Sequence, residues 1–399
     1  AFSASHWAKV SSARPMVGQT GHKVSSKSRE MALIFEKSIM VRENNAWLFK
    51  KNPLFNTVKL QKQLFCTATS ALAQFLGDAR VVEIPKAIWW LILHGIILRV
   101  RPAKSAAKYA SIWTTEGSPL RVWTDKQAQG LAEKLKQRGH HVLVKYAMTY
   151  GQPSIASQID TLRQEGATRI LLVPAYPQYS GTTTAPVFDS VYRWGLKTRN
   201  LPEFRFVNRY HDDDGYIQAL ANRIQSHWAA NGKAEQLVMS FHGVPERTLQ
   251  LGDPYHCECY KTGRLLAEKL GLDKTQYKVT FQSRFGKAKW LEPYTEPTLI
   301  AMAQAGTQSV DVVCPGFTGD CLETLEEISM EAREAFLHAG GKTFSYIPCL
   351  NDEPTWIDAL ASICEQHLQG WPTLAKDVNA QAAASPQTKE LALALGAKE

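Results

Sequence analysis

Apolar and polar positions along this chain follow two periods, and from about residue 121 these take turns. Gln127–Arg138 carries apolar residues at helical spacing, and Gly139 ends it. His141–Tyr150 reads as a strand, Ser154–Glu165 as a helix, and Thr168–Ala175 as a strand stopping at Pro174. Gly181-Thr-Thr-Thr184 leads into a helix over Val187–Trp194. The second half repeats this order. Leu237–His242 is a strand, Lys261–Leu270 a helix, Tyr277–Ser283 a strand, Pro297–Gly306 a helix and Ser309–Cys314 a strand. Such alternation predicts an α/β protein of two similar halves, each a parallel β-sheet flanked by helices.

The repeat exposes a gap. The second half opens on the strand ending at His242, so the first half should open on an equivalent strand just before the helical stretch Ser70–Leu76. Lys50–Cys66 holds no clean apolar run. The opening strand is therefore expected to be absent or disguised, and residues 1–66 form an atypical basic segment.

Two segments carry candidate chemistry. After the strand Ser309–Cys314, Pro315 and Gly316 break the chain and Asp320 falls at a helix N-cap position. A helix starting there places Glu323, Glu327 and Glu331 on one face at i, i+4 and i+8. Like charges on one face repel, which leaves either a solvated acidic surface or a place where a cation or protons arrive. The second segment, Leu237-Val-Met-Ser-Phe-His-Gly-Val-Pro245, puts His242 at the carboxyl end of its strand. In parallel α/β sheets, chemistry gathers at those ends, so His242 and the Asp320/Glu323 helix can share a crevice suited to metal handling or proton transfer.

Composition narrows the classes. With 399 residues, 44% of them hydrophobic, the chain can bury one large core or two smaller ones. The net charge of +9 suggests nucleic acid until it is located: residues 1–66 hold eleven Lys/Arg against three Glu, leaving the body nearly neutral. No basic stripe with interleaved aromatics runs through the body, which sets nucleic-acid binding aside. The longest apolar run, Ile88–Leu98, is too short for a membrane span. Trp89 and Trp90 beside Arg99 and Arg101 suit an amphipathic lip touching lipid or an apolar ligand. Seven cysteines without a clean signal peptide point to a reducing compartment, the cytoplasm. The Cys257/Cys259 pair lacks a second pair at zinc spacing and reads as structural. The Ser-rich, acid-poor stretch 1–30 has a faint transit-peptide character, and the tail from Lys376 reads as disordered or a loose helix.

From about Thr67 to Trp371 the chain resembles the ferrochelatases, the bacterial form most closely. The motifs are Tyr109-Ala-Ser-Ile-Trp-Thr-Thr-Glu-Gly-Ser-Pro119, Tyr176-Pro-Gln-Tyr-Ser180, Ser240-Phe-His-Gly243, Gln282-Ser283 with Trp290, and Gly316-Phe-Thr-Gly-Asp-Cys-Leu-Glu323. The resemblance implies Rossmann-like halves of a chelatase-type fold, over residues 67–225 and 226–372, with a tail at 373–399. It implies insertion of Fe²⁺ into protoporphyrin IX, the last step of haem synthesis, with iron as substrate and no permanent cofactor. His242 and Glu323 are then the catalytic pair across the porphyrin centre, and His242, Glu323, Asp320 and Glu327 the metal-handling set. Glu327 and Glu331 extend a carboxylate path. Tyr176, Trp290, Phe317 and the lip are walls, Arg101, Tyr109 and Ser118 lie near the propionates or the pocket mouth, and Tyr150, Ser180 and Ser283 also touch substrate.

Two departures from the family pattern stand out. Thr149 occupies a position where the family often has Arg before the Tyr that matches Tyr150. The family's opening strand and its Asn-Leu-Gly-Thr-Pro loop are not legible, so residues 1–66 are expected to reflect a displaced reading frame or another start. Two alternatives stay open: a cobalt or nickel chelatase of the same fold, and a porphyrin-binding copy without turnover.

Overall fold

In the computed structural model, residues 31–37, 69–70, 72–284, 286, 288–374 and 387–397 are described. Among these residues, eight strands form two parallel four-stranded sheets. The first comprises β1 (Met31–Lys37), β2 (Leu143–Met148), β3 (Arg169–Pro174) and β4 (Glu203–Phe206), in the order β2-β1-β3-β4. The second comprises β5 (Gln236–His242), β6 (Tyr277–Gln282), β7 (Ser309–Val313) and β8 (Thr343–Tyr346), in the order β6-β5-β7-β8. The strand permutation is the same in both halves, as the repeated sequence pattern predicts.

That symmetry corrects the reading of the N-terminal segment. The slot of β5 in the first sheet is filled by Met31–Lys37, which pairs with β2 through Ala32↔Leu143 and with β3 through Met31↔Arg169. The strand is present well upstream of the place where it was sought, so the symmetry argument for a displaced reading frame loses its basis. The family's Asn-Leu-Gly-Thr-Pro loop is sought in a stretch outside the described residues, as is most of residues 1–66.

Both faces of each sheet are buried, as parallel sheets require. Odd positions of β1 and β3 (Met31, Leu33, Leu171, Val173) join the inner positions of β5 (Leu237, Met239, Phe241) in one shared core. Their neighbours Ile34, Ile170 and Leu172 face an outer cluster with Ile159 and Val187. Val238, Val310 and Val312 face another with Ile328 and Phe336. The helix Pro354–Leu368 follows the second sheet yet returns to the first half: Arg138 pairs with Asp358 and Glu365, and Arg205 donates to the His367 carbonyl. Ile357 lies where a side chain at Gly130 would project, so glycine there allows close approach of the helices.

Several boundaries move. The helix expected over Gln127–Arg138 starts at Pro119, with proline at its first turn. The helix expected from Lys261 begins at Tyr255, which places Cys257 and Cys259 two apart on it, one exposed and one buried. Residues i and i+2 do not face each other on a helix, so the two thiols point to different sides of it. Lys86–Ile112 is one helical run whose middle, Leu93–Ile97, widens to π geometry. A helical segment at 387–394 leaves Leu391 and Leu393 exposed, as is Leu395 just after it.

Candidate functional site

The site lies at the carboxyl ends of β5, β6 and β7. His242 is the last residue of β5 and is half-exposed. Its Nδ1 lies 2.6 Å from the Gly243 carbonyl oxygen. A carbonyl only accepts, so Nδ1 carries the proton and Nε2 keeps its lone pair for a proton or a metal ion. Gly243 donates its N–H to the Gln282 carbonyl at 2.7 Å, and a Cβ at 243 would stand 2.7 Å from that same oxygen. Only glycine lets the chain turn so close to β6.

β7 leads into Cys314-Pro-Gly-Phe-Thr-Gly-Asp320. The Phe317 N–H closes a turn on the Cys314 carbonyl, and the Phe317 ring lies 6.3 Å from the His242 ring. Trp290 flanks the other side: its backbone pairs with Pro245, and its ring would meet a side chain placed at Gly243. The buried Trp290 indole N–H has no hydrogen-bond partner among the described residues.

The carboxylate helix differs from expectation in kind. Glu323–Ala332 is a π-helix, whose i→i+5 bonding widens the turn. Glu327 accepts from both the Ser283 backbone N–H and hydroxyl, at 2.6 Å each. Burial raises the Glu327 carboxyl above the ordinary range, with Ser283 and His242 pulling it partly back and Glu323 pushing it further up. The Gln282 amide donates to the Glu323 carbonyl at 2.7 Å, holding the helix start against β6. Tyr109, buried with Ile112 against Leu322 and Leu325, has its hydroxyl pushed up by burial and then by the Glu323 charge. Contacts and charge interactions thus link His242, Glu323, Glu327, Ser283, Phe317, Trp290 and Tyr109 at the carboxyl end of the second sheet.

Other expected members lie elsewhere. Glu331 is not the outer rung of a Glu323/Glu327 ladder. Glu326 and Glu331, one π-turn apart, share the Lys108 ammonium at 2.8 and 2.9 Å. Asp320 neither caps a helix nor faces His242. Its carboxylate is buried and accepts from Tyr346 Oη at 2.5 Å, Asn351 Nδ2 at 2.7 Å, Thr324 Oγ1 and the Cys349 N–H. With its oxygens so occupied it is a structural hub, which corrects its assignment as a metal ligand. No three His, Cys, Asp or Glu side chains among the described residues converge closely enough to hold a metal ion by themselves.

Ser180, expected to touch substrate, is fully buried and donates to Asp253 at 2.9 Å, so its hydroxyl holds a loop. Tyr150, buried after β2, donates to Asp78 at 3.1 Å and packs edge-on against Phe75. Ser118 is buried, its hydroxyl without a partner among the described residues. Arg101 is exposed on the helix Leu98–Ile112, two turns from Tyr109 and on the same side. Tyr176 is half-buried at the start of its loop.

Sequence reasoning missed Gln282 as a working residue, although its motif was noted. It also missed Gln127, whose amide donates to the Thr318 and Asn351 carbonyls at 2.7 and 2.6 Å and so ties the first half to the Phe317 loop. Neither has a one-dimensional signature, because a glutamine's partners are set by tertiary contact.

The ferrochelatase family model matches residues 69–368. A relative named ferrochelatase from Polaromonas sp. (strain JS666) is 72% identical over 327 residues, 82% of this chain and 88% of that one. A ferrochelatase from Methylibium petroleiphilum is 70% identical over 302 residues, 76% of this chain and 83% of that one. Among solved structures, SirB from Bacillus subtilis with Fe3+ aligns at a TM-score of 0.46 and 14% identity, covering 63% of this chain and 91% of that chain.

Proposed function

The chain belongs to the ferrochelatase family, and from that premise we propose that it inserts Fe²⁺ into protoporphyrin IX to give haem, with His242 and Glu323 as the reacting pair. Iron is a substrate in this reaction and is carried through. Insertion must remove two pyrrole protons. The observation that carries the reading is the His242 Nδ1 contact with the Gly243 carbonyl, which leaves the Nε2 lone pair for a proton or a metal ion. Glu323 stands at the opening of the π-helix, and Glu327, raised by burial and held by Ser283, receives protons leaving the centre. Tyr109, Phe317 and Trp290 supply the apolar walls against which a flat macrocycle can be held and bent.

The test is anaerobic turnover of protoporphyrin IX with Fe²⁺, with His242→Ala as control. Loss of a general base lowers the rate by about 10²–10⁴-fold. Turnover unchanged in His242→Ala overturns the assignment, and turnover with Co²⁺ or Ni²⁺ but not Fe²⁺ moves the chain to another metal.

We place the enzyme in the cytoplasm at a membrane surface. No helix among the described residues is long and apolar enough to cross a membrane. The helical run Lys86–Ile112 exposes Ile88, Trp90 at 60%, Leu91 at 65%, Ile96 and Val100 beside Arg99 and Arg101. An apolar face fringed by arginines suits the headgroup boundary, where a hydrophobic porphyrin would be delivered. Cosedimentation with anionic vesicles, lost in Trp90→Ser/Leu91→Ser, checks this.

A further inference from the structure

The loop Tyr176–Thr183 belongs to the first half, yet Asp253, Glu258 and Thr262, which hold it, come from the second. Glu258, in the first turn of the helix Tyr255–Leu270, is buried. Its Oε2 accepts the Tyr179 N–H at 2.7 Å and its Oε1 accepts from Arg209 at 2.5 Å. The Arg209 guanidinium also lies 5.4 Å above the Tyr179 ring. One turn further along the helix, Thr262 accepts from the Gln178 amide at 2.9 Å and donates to the His211 carbonyl. Just before the helix, Asp253 takes the Ser180 hydroxyl and the Gly181 N–H.

The loop so held abuts the segment that carries Phe317. A side chain at Gly316 would meet Phe241, the Gln178 amide oxygen and the Tyr255 hydroxyl, so the two loops touch across the halves. Tyr216 donates to the Pro315 carbonyl, and Thr318 reaches the Ala175 carbonyl. Contact therefore runs from Glu258 through Tyr179 and Gln178 to Gly316, then to Phe317 beside His242.

We propose that Glu258, together with Arg209, is a positioning residue for porphyrin binding, fixing the Tyr176–Thr183 loop against the Phe317 loop. This rests on the ferrochelatase reading above. Glu258 touches neither His242 nor the carboxylates of the π-helix, so its role lies in macrocycle affinity and not in proton removal. A buried carboxylate is costly unless fully paired, and this one is paired by a backbone N–H of the loop it holds. Burial raises its carboxyl, and the Tyr179 N–H and Arg209 offset part of that rise. His211 Nδ1 lies 3.5 Å from Oε2, and burial lowers that imidazole toward its neutral form.

The experiment compares the full-length chain with Glu258→Gln and Arg209→Met. Protoporphyrin IX binding is followed by fluorescence titration, and haem formation is followed at varied porphyrin and varied Fe²⁺. Losing one charge-assisted hydrogen bond should weaken porphyrin binding and raise its KM by about tenfold in Glu258→Gln. Arg209→Met should show a smaller rise, with the KM for Fe²⁺ unchanged in both. If Glu258→Gln does not fold, Arg209→Met decides. Unchanged porphyrin binding, or KM values for porphyrin and iron that rise together, overturns the inference while leaving the function standing. A wild-type chain that binds no porphyrin overturns both.

Discussion

Ser283 gives both its backbone N–H and its hydroxyl to Glu327, one to each carboxylate oxygen, at 2.6 Å. It does so from a left-handed backbone conformation, φ 65°, that is uncommon for a residue with a side chain. The turn after β6 is thus held in a strained form where it meets the π-helix. Removing the hydroxyl in Ser283→Ala takes away one of the interactions that lowers the Glu327 carboxyl. The carboxyl then moves further up, so the acidic limb of the kcat profile should shift to higher pH. A pH–rate series on Ser283→Ala checks this, and a limb that stays in place removes Glu327 from the proton path.

Glu327 itself carries a stability consequence. Its folded-state carboxyl lies above the ordinary value because burial disfavours the charge. Between the unfolded and folded values the native state binds more protons than the unfolded chain, so stability falls as pH rises through that window. Glu327→Gln removes the charge. Its melting temperature should exceed that of the wild type at neutral pH, with the difference vanishing below the ordinary carboxylate range. Thermal denaturation across pH reads this directly, and turnover should fall in the same variant.

Asp320 separates a structural hub from a metal ligand. Asp320→Ala leaves Tyr346, Asn351 and the Cys349 N–H without their buried acceptor. A loss of about 3–5 kcal/mol is expected from breaking a buried charged network by removing one partner. Urea denaturation should show this, and the fraction that remains folded should keep an unchanged KM for iron. A large rise in that KM at full stability would restore Asp320 as a ligand.

How far the site could be read in advance depends on where each residue's partners lie. The placement of His242 and Glu323 at carboxyl ends of the second sheet was legible, because a buried strand broken by Gly or Pro marks such an end and parallel sheets bring these ends together. Asp320 was misread because its acceptor role is set by Tyr346 and Asn351, which come from β8 and the segment after it. Glu331 was misplaced because α-helical spacing was assumed, whereas π geometry gives its partner Lys108 to Glu326 and Glu331 together. β1 was missed for a different reason: it was sought beside the helix at Ser70, and Met31–Lys37 lies a long connection away. The two similar halves, by contrast, followed from strand and helix order alone, because period 2 and period 3.6 are local signals.

Gly243 ties the end of β5 to β6. Its backbone carbonyl sets the His242 tautomer, and its N–H bonds the Gln282 carbonyl. Gln282 in turn holds the Glu323 carbonyl through its side chain. One added methyl group in Gly243→Ala would lie 2.7 Å from the Gln282 carbonyl oxygen and 3.2 Å from the Trp290 ring. Backbone cannot yield as a flexible side chain does, so β5 and β6 must separate where His242 leaves the sheet. Overpacking of this kind costs about 1–3 kcal/mol. Because displacement falls on His242 and, through Gln282, on Glu323, the proposed pair, the loss of kcat should exceed what the loss of stability explains, by about 10²-fold for a misplacement near 1 Å. Turnover and urea denaturation on the same preparation test this, and a variant that loses stability but keeps kcat would show that His242 does not depend on the close approach of β5 to β6.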